Sequence, residues 1–335
     1  VGLSRSDFSI QLKPDETART LTVSDNGIGM DKDEMENNLG TICKSGSLQF
    51  KKDMEKQEDI DIIGQFGVGF YSAFMVADKV TVVTRAYGSD TAYQWVSTGA
   101  DGYTITETEK DTVGTDVIMH IKEDESGEKY STYLENWKLM MLIRKYSDYV
   151  RWPIVMDVEQ SDWVDSGEKD EKGEPKMEMV TKTEEQTVNS MIPIWQRSRK
   201  EATDEECIAF YKEKFHDNDD PLAVIRVNAE GLISYRALLF IPAKAPANMF
   251  TRESDPGLEL YSSGVMIMDK CTDLLPPCYA FARGVVDSPD LSLNISREML
   301  QHDRQLKLIA TNLGKKIKSE LTKLMTNDRE KYEQF

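Results

Sequence analysis

Cysteine and histidine are scarce in this sequence, long apolar runs are missing, and positive charge is outnumbered. Each shortage removes a class of function. The four cysteines, Cys43, Cys207, Cys271 and Cys278, are too scattered for a zinc site or a paired redox motif, so reduced thiols are expected. No stretch of about 18 apolar residues occurs, so no membrane partner is expected. The first residues are polar and carry no charged-then-apolar signal, which favours a cytoplasmic location. Net charge is −18 and the isoelectric point lies near 4.7. Such a chain is repelled by phosphate backbones, and no dense Lys/Arg cluster precedes the last helix, so no nucleic-acid partner is expected. The three histidines, His120, His216 and His302, lack a phosphoacceptor-helix setting.

What is present points to a soluble α/β chain of about two domains: 335 residues, 39% hydrophobic and 30% charged. Phe8, Ile10 and Leu12 alternate with polar residues, as do Leu21 and Val23, predicting two strands joined near Pro14-Asp15. Asp31 and Glu34 form a capping box that opens a short helix through Met35 and Leu39. Residues 40–61 are polar, as expected of a lid. A short apolar helix follows Phe70, then strands over Val80–Arg85, Tyr93–Ser97, Tyr103–Thr108 and Thr115–Ile121, then a helix over Tyr130–Val150. Charged and small residues dominate Asp157–Thr187, which composition reads as a linker. Beyond it come a helix near Asp204–Lys214, strands at Leu222–Val227, Ile233–Ile241, Leu258–Tyr261 and Val265–Met268, and a long helix over Arg304–Leu324.

Two glycine clusters carry the chemistry. In Val-Ser-Asp25-Asn-Gly27-Ile-Gly29-Met30 a carboxylate emerges at a strand end, where it can accept a hydrogen bond from an adenine amino group. Gly27 and Gly29 let the backbone pass close to a base, although the same residues also suit a plain Asn-Gly turn. In Gly64-Gln-Phe-Gly67-Val-Gly69-Phe70, glycines precede an apolar helix, where free N–H groups favour phosphates; a tight loop packed on a sheet is the alternative. The order fits neither the Rossmann fingerprint nor G-x-x-x-x-G-K-[ST]. Both clusters in one domain, separated by a lid-like stretch, favour a nucleotide pocket.

These motifs, with Asn37-Asn-Leu-Gly-Thr-Ile-Cys-Lys-Ser-Gly46 between them, closely resemble the ninety-kilodalton heat-shock chaperones, of the gyrase-, histidine-kinase- and MutL-like ATP-binding superfamily. The resemblance continues through Lys145-Tyr-Ser-Asp148, Arg236-Ala-Leu-Leu-Phe-Ile-Pro242, Arg283-Gly-Val-Val-Asp287 and Leu293-Asn-Ile-Ser-Arg-Glu-Met-Leu-Gln301, nearly the whole chain. The short charged linker looks like the bacterial form. The implied fold is α+β: a two-layer sandwich ATP-binding domain with a mostly antiparallel sheet and helices on one face (1–156), the linker (157–187), and the first part of an αβα middle domain (188–335). The implied function is an ATP-dependent chaperone with Mg²⁺, acting on unfolded or metastable clients as a homodimer, with lid closure and domain docking. A topoisomerase or mismatch-repair module of the same superfamily is the alternative.

Residue by residue, the resemblance implies that Asp25 holds the adenine amino group, supported by Gly29 and Thr115, with Met30 beside the base. Asn38 and Lys44 would serve the ribose–phosphate region near Mg²⁺, with no direct protein ligand to the metal. Gly64, Gln65, Phe66, Gly67, Val68, Gly69 and Phe70 would wrap the phosphates. Arg297 would reach the γ-phosphate as an arginine finger does, with Gln301 one turn further on. Trp195, Met249 and Phe250 fall in regions tied to client contact and domain coupling, though Ala247 and Asn248 depart from the family's usual residues there. The family's preceding helix, with its water-activating Glu and an Asn, is missing before Val1, and the chain stops within the middle domain. A fragment with little or no ATPase activity is therefore expected.

Overall fold

The computed structural model describes Ser4 and residues 7–40, 69–169, 175–244, 257–291 and 304–334. They form two bodies: one drawn from residues up to and including Met191, the other from Tyr149–Arg151 and the chain from Ile192 onward. Among the described residues, no helix is long and apolar enough to cross a membrane.

The first body is built on an eight-stranded sheet. Its strands are β1 (Ile10–Asp15), β2 (Thr20–Asp25), β3 (Ala77–Arg85), β4 (Ala92–Ser97), β5 (Tyr103–Thr108), β6 (Gly114–Ile121), β7 (Ile154–Lys169) and β8 (Pro175–Thr187). Their order is β5-β4-β3-β6-β2-β1-β7-β8, antiparallel except where β1 meets β7. Register explains the core. Ile105, Trp95, Val82, Val117, Val23, Leu12 and Met156 are successive cross-strand partners, an apolar row spanning seven strands. Helix α1 (Lys32–Leu39) lays Met35 and Leu39 against Val80, Val82 and Trp95, with Ala73 and Phe74 of α2 (Ala73–Val76) packed beside them. The Asp31 and Glu34 capping box is formed.

Three local expectations change. Pro14 lies inside β1 opposite Leu21, and the turn falls after Asp15, whose Oδ1 accepts from Ala18 N at 2.8 Å. The parallel pairing to β7 ends at Leu12, so the missing proline N–H leaves no rung unmade. The helix expected over Tyr130–Val150 is divided: a 3₁₀ stretch, Tyr130–Leu134, and α3 (Asn136–Tyr146) flank Glu135, whose backbone is extended at φ −83°, ψ 128°. Finally, most of the segment expected as a charged linker forms β7 and β8. They pair from Val155↔Thr187 to Asp165↔Met177 and group with the first body.

In the second body, α4 (Asp204–Phe215) precedes β9 (Ala223–Ala229) and β10 (Tyr235–Ile241); β11 (Leu258–Ser262), β12 (Val265–Cys271) and β13 (Arg283–Asp287) follow, then α5 (Arg304–Asn327) and α6 (Arg329–Gln334). Strand order is β12-β11-β13-β10-β9, with only β11–β13 parallel. Each strand's alternate residues serve different layers. Leu239, Ile241, Leu260 and Val286 meet Ile309, Leu313 and Ile317 of α5, whereas Leu238, Phe240, Tyr261 and Val285 meet Trp195, Cys207 and Tyr211. Sequence periodicity did not show β13, because two valines between Gly284 and Asp287 are too few to display a period.

Candidate nucleotide site

The first glycine cluster lies where four strands end. Asp25 closes β2 opposite Thr115 of β6, and Thr115 is in turn opposite Thr84 of β3. Cross-strand partners share a face, so these three side chains line up. Their hydroxyls are joined: Thr115 Oγ1 is 3.0 Å from Thr84 Oγ1, which accepts from Met30 N at 2.9 Å and lies 3.2 Å from Gly114 O.

The loop after β2 is pressed onto the end of β3. Tyr87 N donates to Ile28 O at 2.7 Å. Gly29 has φ +66°, and a Cβ there would stand 1.9 Å from Arg85 O; Gly114 has φ +120°, and its Cβ would fall 2.1 Å from Asp25 O. Both positions therefore exclude side chains, and Gly27 does the same beside the Asp25 carboxylate, where a Cβ would stand 2.9 Å from Oδ1. Asn26 holds the preceding segment, accepting from Ser9 N at 2.8 Å and donating to Asp7 O at 2.7 Å.

Asp25 opens to solvent at its edge, yet the protein around it raises its pKa above the ordinary carboxylate value. Burial is the main cause, opposed by donors from the Gly27 and Thr115 backbones. Asp116 raises it further, while Lys110 lowers it. Gly27 N lies 2.9 Å from Asp25 Oδ1. Asp116 is held by Lys110 Nζ at 2.5 Å and by the Ser24 hydroxyl. A partly desolvated carboxylate, when ionised, is a strong acceptor for an amino group.

Of the expected site residues, Asp25, Gly29, Met30 and Thr115 converge here. Asn38, on the last turn of α1, joins them through Nδ2, 4.0 Å from Met30 Sδ. Gly69 and Phe70 begin a 3₁₀ turn whose Tyr71 hydroxyl donates to Leu39 O at 2.7 Å. Phe70 packs its ring on Trp95, at 5.4 Å between centroids, so its side chain serves the core. Lys44, Gly64, Gln65, Phe66, Gly67, Val68, Arg297 and Gln301 lie outside the described residues, as do Met249 and Phe250. Trp195 is buried against Tyr149, Phe210 and Tyr261, and its indole N–H donates to Asp287 Oδ2 at 3.1 Å. Sequence reasoning missed Thr84 and Gly114. The β3–β6 register joins them to Asp25, and only a correct pairing of Val80–Arg85 with Thr115–Ile121 would have found them.

Comparison with known proteins gives a consistent picture. Residues 6–127 match the family described as histidine kinase-, DNA gyrase B-, and HSP90-like ATPase. Relatives named Chaperone protein HtpG are 55% identical over 331 residues in Bacillus subtilis and 53% identical over 332 residues in Clostridium perfringens; each match covers 99% of this chain and 52% of the relative. The relative of that name from Halalkalibacterium halodurans is 53% identical over 335 residues, 100% of this chain and 52% of its own length. The chain thus spans about half the length of the curated relatives it matches. Residues 158–335, more than half of the chain, match the family described as Hsp90 protein. The chain belongs to the Hsp90 protein family.

Proposed function

We propose that the first body binds ATP with Mg²⁺, and that the whole protein is an ATP-hydrolysing chaperone acting as a homodimer on unfolded or metastable clients in the cytoplasm. The observation that carries the nucleotide reading is the Asp25 strand end: a partly desolvated carboxylate walled by glycine backbone and backed by two linked threonine hydroxyls. An adenine amino group would add a further N–H to this acceptor, and the bond contributes roughly 1.5–3 kcal/mol. Thr115 and the Gly29 backbone border the base, Met30 flanks it, and Asn38 stands toward the ribose–phosphate and Mg²⁺ side. When bound, Mg²⁺ would neutralise phosphate charge. The chaperone reading is supported by what the relatives are named over nearly all of this chain. Residues 1–156 are taken as the nucleotide-binding part and 188–335 as the first part of a middle domain, with 157–187 between them.

Titration calorimetry of the 335-residue chain with Mg-ATP and Mg-ADP tests the base site. The Asp25→Asn variant, which keeps shape and puts a donor where the acceptor was, should lose at least tenfold in affinity with an unchanged circular dichroism spectrum. Equal affinity in the two proteins rejects Asp25 as the base acceptor.

A further inference from the structure

Helix α3 (Asn136–Tyr146) runs against the charge of the chain that contains it. Its sequence, NWKLMMLIRKY, holds Lys138, Arg144 and Lys145 and no carboxylate, a local charge of +3 where the whole chain carries −18. At about 3.6 residues per turn, Leu139 and Ile143 fall on one side of the helix, and both are buried. The opposite side centres on Trp137 and Met141, one turn apart, with Lys138 and Arg144 flanking them. Nothing in the nucleotide reading uses this surface.

That side faces water. Trp137 is 57% exposed and Met141 45%, while Arg144 is exposed and Lys138 half-buried. Single apolar residues at a surface are ordinary, but two on one stripe between cations form a patch. The indole is held in place. Its N–H donates to the Glu135 carboxylate, and Lys138 Nζ lies 6.0 Å from its ring centroid. A ring fixed before binding loses little freedom when a partner covers it. Lys138 and Arg144 form no ion pair among the described residues, so both can receive a carboxylate. Lys145 is already engaged, with its Nζ 5.1 Å from the Tyr146 ring centroid, and is not counted among the receiving groups.

We propose that the outer face of α3 receives a short acidic amphipathic segment of a partner protein, its apolar side chains covering Trp137 and Met141 and its carboxylates meeting Lys138 and Arg144. Other occupants fit less well. A second copy of this chain, meeting the same face across a twofold axis, would set the same cations against one another. An anionic membrane surface calls for a cluster of about 4–8 cations, and the net charge of the chain repels it. The exposed apolar area of one indole and one thioether is on the order of 200 Å², far below the roughly 800 Å² per partner of a stable protein–protein interface. A peptide-length ligand suits that area, with anchors at helical spacing over the Trp137–Met141 stripe. The inference does not depend on nucleotide binding.

Fluorescence anisotropy of a fluorescein-labelled peptide, titrated with the 335-residue chain, tests the site. The probe has about 14 residues of glutamate and leucine, with leucines at i, i+3, i+4 and i+7; its counterpart carries serine at every leucine position and keeps the charge. The leucine peptide should bind saturably, and the serine peptide about fivefold more weakly or worse. Trp137→Ser and Arg144→Glu should each weaken the leucine peptide by about fivefold or more. Both side chains are exposed, so circular dichroism and the thermal midpoint should not change; should one variant unfold, the other decides. Vesicles of phosphatidylserine and phosphatidylcholine should leave the chain in solution on sedimentation. The inference is overturned if the leucine peptide does not saturate, if the serine peptide binds as well, if a folded variant binds like the parent, or if the vesicles take up the parent but not Arg144→Glu.

Discussion

Asp25 and Asp287 occupy matching places in the two bodies: each is the last residue of a strand, and each faces a residue on the neighbouring strand. Their surroundings differ. Asp25 takes its donors from backbone, at Gly27 and Thr115, and its edge stays open to solvent. Asp287 takes its donors from the side chains of Trp195 and Gln196 within an aromatic layer, and it is buried. One carboxylate is therefore held by parts that would survive its replacement. The other ties together parts that would not. The same residue type at the same strand position is held by backbone at an open edge in one body and by buried side chains in the other.

Removing the anchor should produce the largest effect. Asp287→Ala strands the buried indole N–H of Trp195 and the amide of Gln196, at about 1–3 kcal/mol for each unsatisfied group. Urea unfolding should show the second body destabilised by about 3 kcal/mol, whereas Asp25→Ala should leave that transition within about 0.5 kcal/mol of the parent. Equal losses in the two variants would erase the distinction.

Next in size is Gly29→Ala. A methyl group 1.9 Å from Arg85 O cannot be accommodated without moving the loop off β3, and the φ of +66° adds strain. A loss of about 2 kcal/mol in the first body's stability is expected, with nucleotide affinity falling at least tenfold as the loop lifts from Asp25. Gly69→Ala is the control: nothing lies within 4 Å of its Cβ position, and its stability should barely change.

The same two sites show what could be read from sequence. Strands β3 to β6 were visible because apolar and polar residues alternate on a half-buried sheet, and α1 because Asp31 and Glu34 mark its start. Asp25 was visible as a carboxylate at the end of such a pattern. Its partners Thr84 and Gly114 were not, since register relates residues some 60 to 90 positions apart and a single sequence carries no trace of it. The β7–β8 pair was missed for another reason: composition over 157–187 is that of a linker, and pairing there satisfies backbone groups without demanding an apolar stripe. The Gln196 bridge under Trp195 was equally hidden, because a glutamine in a 3₁₀ turn has no periodic signature.

A smaller effect sharpens the role of Thr84. Its hydroxyl has one proton and two lone pairs, and it accepts from Met30 N. All three observed contacts are made only if Thr84 donates to Gly114 O and Thr115 donates to Thr84, which leaves Thr115 only an acceptor for a base bound at the proposed site. Thr84→Val keeps the shape, frees the Thr115 proton and strands the Met30 N–H, so a loss of about 1 kcal/mol in stability is expected. Competition titrations of ADP against inosine diphosphate should show several-fold poorer discrimination. An unchanged ratio would mean that Thr115 takes its polarity from elsewhere.

The smallest effect concerns charge at Asp25 itself. Burial raises its pKa in the folded chain above 3.8, so the folded state holds that proton more tightly than the unfolded state does. The ionised carboxylate therefore costs stability; the cost is absent below the unfolded pKa and grows as pH rises through the folded one. Asp25→Asn removes it. The variant's urea midpoint should stand slightly above the parent's at pH 7, and the gap should close as pH falls toward 4. Stabilisation of the empty protein alongside loss of nucleotide binding is what a residue kept for its ligand should show. A variant less stable than the parent at pH 7 would place Asp25 with Asp287 among the anchors.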